Sequence, residues 1–469
     1  MGDPGGRRGP ALTAGSPVLT GGPAPSGAPG RPHAARPGEV ARALFVAPPP
    51  GRVSGRAVAL AVLAVAVAAA VGLLRQPGAG ALDTVWAEDG SVFLADALRE
   101  GPFAALLNSY AGYFHAVPRL LAALASALPL SAASAVLAVS AALCTGLLAL
   151  LVYVASAAHL RSRLSRVLVS AGLVVVPVAQ DEVLNSVANF HWYGLYALFW
   201  VLLWSPRGRA GRVVAVATVL LVATSDILVA AFVPLALFRA VRRAGDGRRD
   251  RLGLALAGAL AAGLAVQAAG LLGGSSSRAL APDPVPAATG YLLRAVPAPL
   301  VGQRWLGQGV DASWLLLAGL AWLVVLGVLA AALRGRTRPA WVLAGTAALH
   351  SAVLYALPVT LSGVAAPRYT VAPAMLVVTA LVALAQPAPP GETVARRAQV
   401  APLHLLAGLL AVVALVNLRV DNPRAYGPRW SAEVDRAGVA CATDGTGTEL
   451  VIAPLRVPAW TVPVRCPDL

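Results

Sequence analysis

The sequence predicts an all-α polytopic membrane protein, a bundle of about 11 transmembrane passes. Three observations predict it. Of 469 residues, 58% are hydrophobic and 12% charged, with mean hydropathy +0.71, whereas a soluble domain carries about 25% charged residues. Apolar stretches near spanning length, roughly 17–25 residues, recur along the chain. Clusters of Arg punctuate them. This composition excludes a cytosolic enzyme, a secreted disulfide scaffold and a disordered chain. The net charge of +16 rests on 37 basic residues, all of them Arg. With 46 Gly and 37 Pro, the absence of Lys reads as coding bias of a GC-rich genome. A nucleic-acid binder would gather such charge on one soluble face. Here it falls between apolar runs, so no nucleic-acid partner is expected.

Residues 1–55 are rich in Pro, Gly and Ala and carry Arg without apolar periodicity, which predicts a disordered basic leader. The run Val58–Leu74 lacks a clean cleavage site and is read as a retained first helix. Further spans are predicted near 131–157, 167–180, 191–204, 252–272, 313–333, 340–360, 370–386 and 401–417. The stretch 213–238 is flanked by Arg clusters at both ends. Two clusters on one side require an even number of crossings, so a hairpin turning near Thr224-Ser225-Asp226 is predicted. The transmembrane domain thus covers 56–417, with a first outer loop over 76–119.

With the N-terminus cytoplasmic, 24 of the 37 Arg lie on the inner side and 13 outside, six of these in the C-terminal tail. That bias is the positive-inside signal of a multi-pass protein of the cell membrane. Acidic residues between helices run the other way. Asp83, Glu88, Asp89, Asp96, Glu100, Asp181, Glu182, Asp226, Asp283 and Asp311 fall outside, and Asp246, Asp250 and Glu392 inside. Carboxylates contribute little to orientation, so their segregation suggests a polar working surface on the outer face. The tail, 418–469, is expected to be a small β-rich extracytoplasmic appendage. An oxidising exterior would allow a disulfide between its Cys441 and Cys466.

The first loop, DTVWAEDGSVFLADALREGPFAALLNSYAGYFHAVPRL, is too polar to span. Its stripes Val92, Phe93, Ala97, Leu98 and Phe103, Leu106, Leu107, Tyr110 suit helices lying on the membrane surface. Glu88 and Asp89 are either a general base at a cavity mouth or solvated carboxylates capping a surface helix. A second cluster, DEVLNSVANFHWYGLY over 181–196, presents Asn189, His191 and Trp192, hydrogen-bonding groups and aromatic faces of the kind a sugar ring needs. An interfacial aromatic belt accounts for Trp192 equally well. His115 and Arg119, closing the first loop, either meet the same cavity or anchor the surface.

The segment WAEDGSVFLADALREG, directly after a first helix, resembles the opening outer loop of bacterial, actinobacterial-like glycosyltransferases of the GT-C fold. Those polytopic enzymes take a sugar from a polyprenyl-phosphate carrier. The resemblance rests on Glu88-Asp89, Phe93, Ala95 to Leu98 and Gly101; the acidic pair is reversed from the commoner Asp-Glu order. It implies transfer to a cell-envelope glycan or lipid acceptor at the extracytoplasmic face, with Asp89 or Glu88 as base. It also implies an Arg at the leaving phosphate, matched by Arg368-Tyr369 in the late loop LSGVAAPRYT. A snorkelling Arg at a helix end is the structural alternative. Some members of the fold use a divalent cation, which Glu88 or Asp89 would hold. No metal, nucleotide or Walker motif occurs. The competing class is a transporter or flippase of lipid-linked precursors, although no internal repeat of the kind transporters show is visible.

Overall fold

The computed structural model describes residues 37–48, 54–242, 249–273, 282–305, 311–387, 396–445 and 447–469, together with Gly2. The rest of the expected leader before Pro37 lies outside the described residues. In chain order the helices are α1 (Pro37–Leu44), α2 (Gly55–Leu74), α3 (Ala95–Glu100), α4 (Ala116–Ser126), α5 (Ala133–Ala155), α6 (Arg163–Val175), α7 (Phe190–Leu203) and α8 (Arg209–Ala223). They continue with α9 (Val233–Val241), α10 (Arg251–Gly273), α11 (Pro284–Gly290), α12 (Ala298–Val301), α13 (Ala312–Leu333), α14 (Trp341–Ser362), α15 (Val371–Leu384), α16 (Arg396–Val416) and α17 (Trp430–Asp444). Strands β1 (Thr448–Ile452) and β2 (Trp460–Val464) follow.

Among the described residues, six helical stretches are long and apolar enough to cross a membrane: Gly55–Leu74, Leu130–Ala158, Arg251–Gly273, Ala312–Leu333, Trp341–Ser362 and Pro367–Leu384. The protein is therefore mostly helical and built for a membrane. Burial sorts these helices. Only 11% of the α2 window and 22% of the α13 window is buried within the protein, against 83% for the stretch that contains α15. Peripheral helices must present apolar side chains to lipid along their whole length, which demands spanning length. Central ones are covered by protein and are released from it. Thus α7, with 14 residues, runs only about 21 Å, yet every one of its residues is buried.

The 213–238 stretch is a hairpin. At the turn Asp226 faces His191 at the start of α7, while Arg239, near the end of α9, donates to the Trp204 carbonyl (2.8 Å) at the end of α7. Helices α8 and α9 therefore run in opposite senses along α7.

Two expectations are corrected. The described part of the leader, 37–48, carries a helix whose Leu44, with the adjacent Phe45, is buried in the main core; Phe45 also lies under the guanidinium groups of Arg239 and Arg242. The tail is not β-rich, because its 15-residue helix α17 outweighs two five-residue strands. Nor does it hang free. Strands β1 and β2 pair antiparallel, Thr448 opposite Val464 and Ile452 opposite Trp460. Residues 85–87 run alongside, Ala87 N–H donating to the Ala453 carbonyl and Ala453 N–H to that of Val85. Leu450, Ile452, Val462 and Val464 form a second core with Trp430, Val85, Phe93 and Leu94. The first-loop stripe expected on the membrane surface is thus half spent inside the protein. Phe93 and Ala97 are buried, while Phe103 and Leu107 stay 84% and 77% exposed. Cys441 and Cys466 are disulfide-bonded, joining the end of α17 to the residue following β2 by two.

Candidate active site

Two buried helices meet at the first-loop end. The rings of Trp192 and Tyr369 lie 5.6 Å apart at the starts of α7 and α15. Further along, the Tyr196 hydroxyl is 3.0 Å from the Thr379 hydroxyl. Contacts that follow in the same order along both helices mean that α7 and α15 run parallel, so both N-termini, with their outward-facing N–H groups, reach the same end.

Arg368 sits on the 3-10 turn Pro367–Thr370 that opens into α15. Its Nη1 donates to Glu182 Oε2 at 2.6 Å, and its guanidinium lies 5.2 Å from the Tyr369 ring centroid. Glu182 belongs to the connection between α6 and α7. Burial pushes its carboxyl above the usual range, against the pull of Arg368. That connection is conformationally unusual, since Ala179 and Asn185 both adopt φ of 53°, a region that costs a non-glycine residue energy and that clusters at functional sites. Tertiary hydrogen bonds hold it. Asn185 donates to the Gly72 carbonyl (2.8 Å). Asn189 donates to the Glu182 carbonyl (3.0 Å) and accepts from the Trp192 indole (3.3 Å).

The carboxylate pair divides. Asp89 is buried, and its oxygens accept from the Ser186 hydroxyl (3.0 Å), Ala188 N–H (2.8 Å) and Val187 N–H (3.3 Å). Burial pushes it up to about 6, opposed by the Ala188 hydrogen bond and by Arg424. Asp89, one of the two expected bases, therefore staples the first loop to the start of α7, its oxygens already accepting three hydrogen bonds. Glu88, next to it, is half-buried and close enough for its charge to act on both Asp89 and Glu182. Gly90 follows because no side chain fits there: a Cβ would lie 2.6 Å from Ile452 and 2.8 Å from Val85.

His191 Nδ1 lies 3.0 Å from the Ala188 carbonyl, and its ring stands 4.6 Å from Trp192. His115 and Arg119 sit in a neighbouring layer. His115 stacks on Tyr113 (4.1 Å), and Arg119 pairs with Asp96 (3.0 Å) beside Phe93. Their segment is bonded to the hairpin turn, Ala116 N–H to the Thr224 carbonyl and Val117 N–H to the Ser225 hydroxyl.

The structure therefore gathers Glu88, Asn189, His191, Trp192, Arg368 and Tyr369, and sets His115 and Arg119 against the turn beside them. Sequence reasoning passed over Glu182, Asp226 as a partner of His191, and Arg424. The first two were visible only as outward carboxylates. Arg424, buried and donating to the Leu184 carbonyl (2.7 Å) from 240 residues away, left no local signal.

Below this end an apolar groove of about 240 Å³ opens among α6, α15 and α16, lined by Leu168, Gly172, Val176, Met375, Leu410 and Ala414 among others. Ala374, on its wall, follows Arg368 by six residues, about 9 Å of helix. Asp89 already accepts three hydrogen bonds, and no group of three or more His, Cys, Asp or Glu is poised to hold a divalent cation among the described residues. Chemically, the arrangement suits an oxyanion at Arg368 and the two helix N-termini, with a carboxylate nearby to take a proton. No protein-family model, curated protein or solved structure matches the chain.

Proposed function

We propose that the protein is a membrane glycosyltransferase of GT-C type, moving a sugar from a polyprenyl-phosphate donor to a cell-envelope glycan or lipid acceptor. One observation carries the reading: Arg368, at the convergent N-termini of two buried helices and six residues before the wall of an apolar groove, pairs with Glu182, whose carboxyl also feels the charge of the half-buried Glu88. A donor of this class has a long apolar tail and a phosphate head, and groove and Arg answer to each. Glu88 takes the proton of the acceptor hydroxyl, which attacks the anomeric carbon. The bond from that carbon to the phosphate oxygen breaks, and Arg368 and the helix N-termini receive the charge on the departing phosphate. Glu182 holds Arg368 until the phosphate displaces it. Asn189, His191 and Trp192 line the sugar's side.

Eleven crossings accord with this reading. Between the parallel helices α7 and α15 the number of crossings must be odd, and α8, the α9 segment, α10, α13 and α14 supply it. With the Arg-rich segments on the inner side, the N-terminus is cytoplasmic and the first loop and tail extracytoplasmic.

The test is transfer by the purified full chain in vesicles, supplied with polyprenyl phosphates bearing single hexosyl or pentosyl groups. Glu88→Gln is expected to lower transfer about 10²–10⁴-fold, and Arg368→Ala to raise the donor KM. Full transfer by both folded variants would overturn the reading. Movement of the lipid-linked sugar across the bilayer without transfer would instead identify a flippase.

A further inference from the structure

The hairpin turn carries a carboxyl group that the transfer reading does not use. Asp226 is 2% exposed. Its Oδ1 accepts from Leu228 N–H (2.8 Å) and so caps the turn that follows. Its Oδ2 is buried with no hydrogen-bond partner and faces His191 Nε2 at 3.9 Å. Buried polar atoms are almost always satisfied, so an orphaned carboxylate oxygen calls for an explanation.

The geometry of His191 supplies one. Its Nδ1 is engaged with the Ala188 carbonyl, and a carbonyl can only accept, so Nδ1 carries a hydrogen. In the neutral ring Nε2 is then a bare lone pair, and it points at another lone pair on Asp226. Two acceptors facing each other repel unless a proton lies between them. Its place is decided by the surroundings. His191 is in the first turn of α7, where the helix dipole disfavours a cation. Around Asp226, the titratable or polar groups of the packed elements are His191 on α7, His115 at the start of α4, Gln267 on α10 and His350 on α14, which stacks on Phe232. No Arg pairs with it among the described residues. Burial alone raises its carboxyl, to about 7.

We propose that Asp226 and His191 form a proton-binding site at this end of the bundle: one proton, carried on Oδ2 of Asp226, is shared with Nε2 of a neutral His191. A movement of about 1 Å brings the pair to hydrogen-bond distance. The site's ligand is the proton itself. It stands independently of the transfer reading, because it requires no sugar and no lipid.

The test is the pH dependence of thermal unfolding of the full chain in detergent. An Asn at 226 reproduces the protonated acid: its carbonyl can accept from Leu228, and its NH₂ can donate to His191. Asp226→Asn is therefore expected to unfold at the wild-type temperature below about pH 4. A folded-state carboxyl raised from about 4 to about 7 gives stability below its unfolded pKa and loses it as pH rises through 7. The wild type should then lose stability relative to Asp226→Asn progressively between about pH 4 and about pH 7, with no further loss above that. Asp89, raised for the same reason, contributes equally to both proteins and cancels in the comparison. Asp226→Ala, which can neither cap nor donate, should unfold earlier at every pH. The site is overturned if Asp226→Asn is less stable than wild type at pH 7 and the deficit shrinks on acidification, since Asp226 would then be an ionised partner of an imidazolium. Parallel profiles for wild type and Asp226→Asn overturn it as well. Nitrogen-15 spectra of histidine-labelled protein, with His191 assigned by its loss in His191→Gln, supply a second readout: a neutral ring at pH 6.5 is expected, and a charged one contradicts the assignment.

Discussion

Glu88 and Asp89 are chemically near-identical neighbours, and their roles separate through what surrounds them. Asp89 meets a hydroxyl and two backbone N–H groups of residues 186–188, and Glu88 does not. Removing Asp89 would strand three buried donors, so Asp89→Ala should lower stability by about 2–4 kcal/mol. Glu88→Gln, at a partly exposed position, should stay within about 0.5 kcal/mol. Thermal melts of the two variants check this against the transfer assay, in which the order of severity reverses for any variant of Asp89 that still folds. Gly90 makes the same point. Gly90→Ala would press a methyl group into Ile452, Val85 and Val462 and should cost about 1–3 kcal/mol. Nothing in the sequence marked Gly90 out. In the structure it is the place where the tail hairpin touches the loop.

At the scale of elements, α7 and α15 are apolar on every side, the mark of a helix buried all round, and their N-termini carry most of the site. The tail is the element whose nature changed most. Short Val, Ile and Thr runs promised strands, and two formed, but WSAEVDRAGVACATD folded into α17 and packed on them. Glu433 on that helix accepts from Val451 N–H on β1 (2.9 Å), so helix and hairpin are one unit. The Cys441–Cys466 bridge spans 25 residues, and closing a loop of that length restricts the unfolded chain by about 3.5 kcal/mol. Cys466→Ser should therefore loosen the tail first. Faster proteolysis around 440–460, with the bundle still intact, is the measurement that checks it.

For the whole molecule, the positions of the helices were legible in the chain. Predicted spans at 252–272, 313–333 and 340–360 fall within a residue or two of α10, α13 and α14, because hydrocarbon imposes length and apolarity on any helix that faces it. The distribution of Arg predicts an orientation as well, with the Arg-rich segments cytoplasmic. A single Cys placed at Phe103, exposed on the first loop, should react with an impermeant maleimide from outside intact cells. One placed at Arg336, between α13 and α14, should react only after permeabilisation. The reverse pattern would invert the protein in the membrane.

By itself, then, the sequence determined a mostly helical chain with membrane-spanning stretches and the hairpin at 224–226. Those are consequences of local hydrophobicity and charge, which any stretch of chain carries with it. Tertiary structure decided that Asp89 is a staple and Glu88 the open acid, that Arg368 meets Glu182 across 186 residues, and that Asp226 faces His191. It also turned the expected appendage into the wall of the first loop. Such pairings depend on which buried faces close against each other, and that is a property of the packed chain that no single segment encodes.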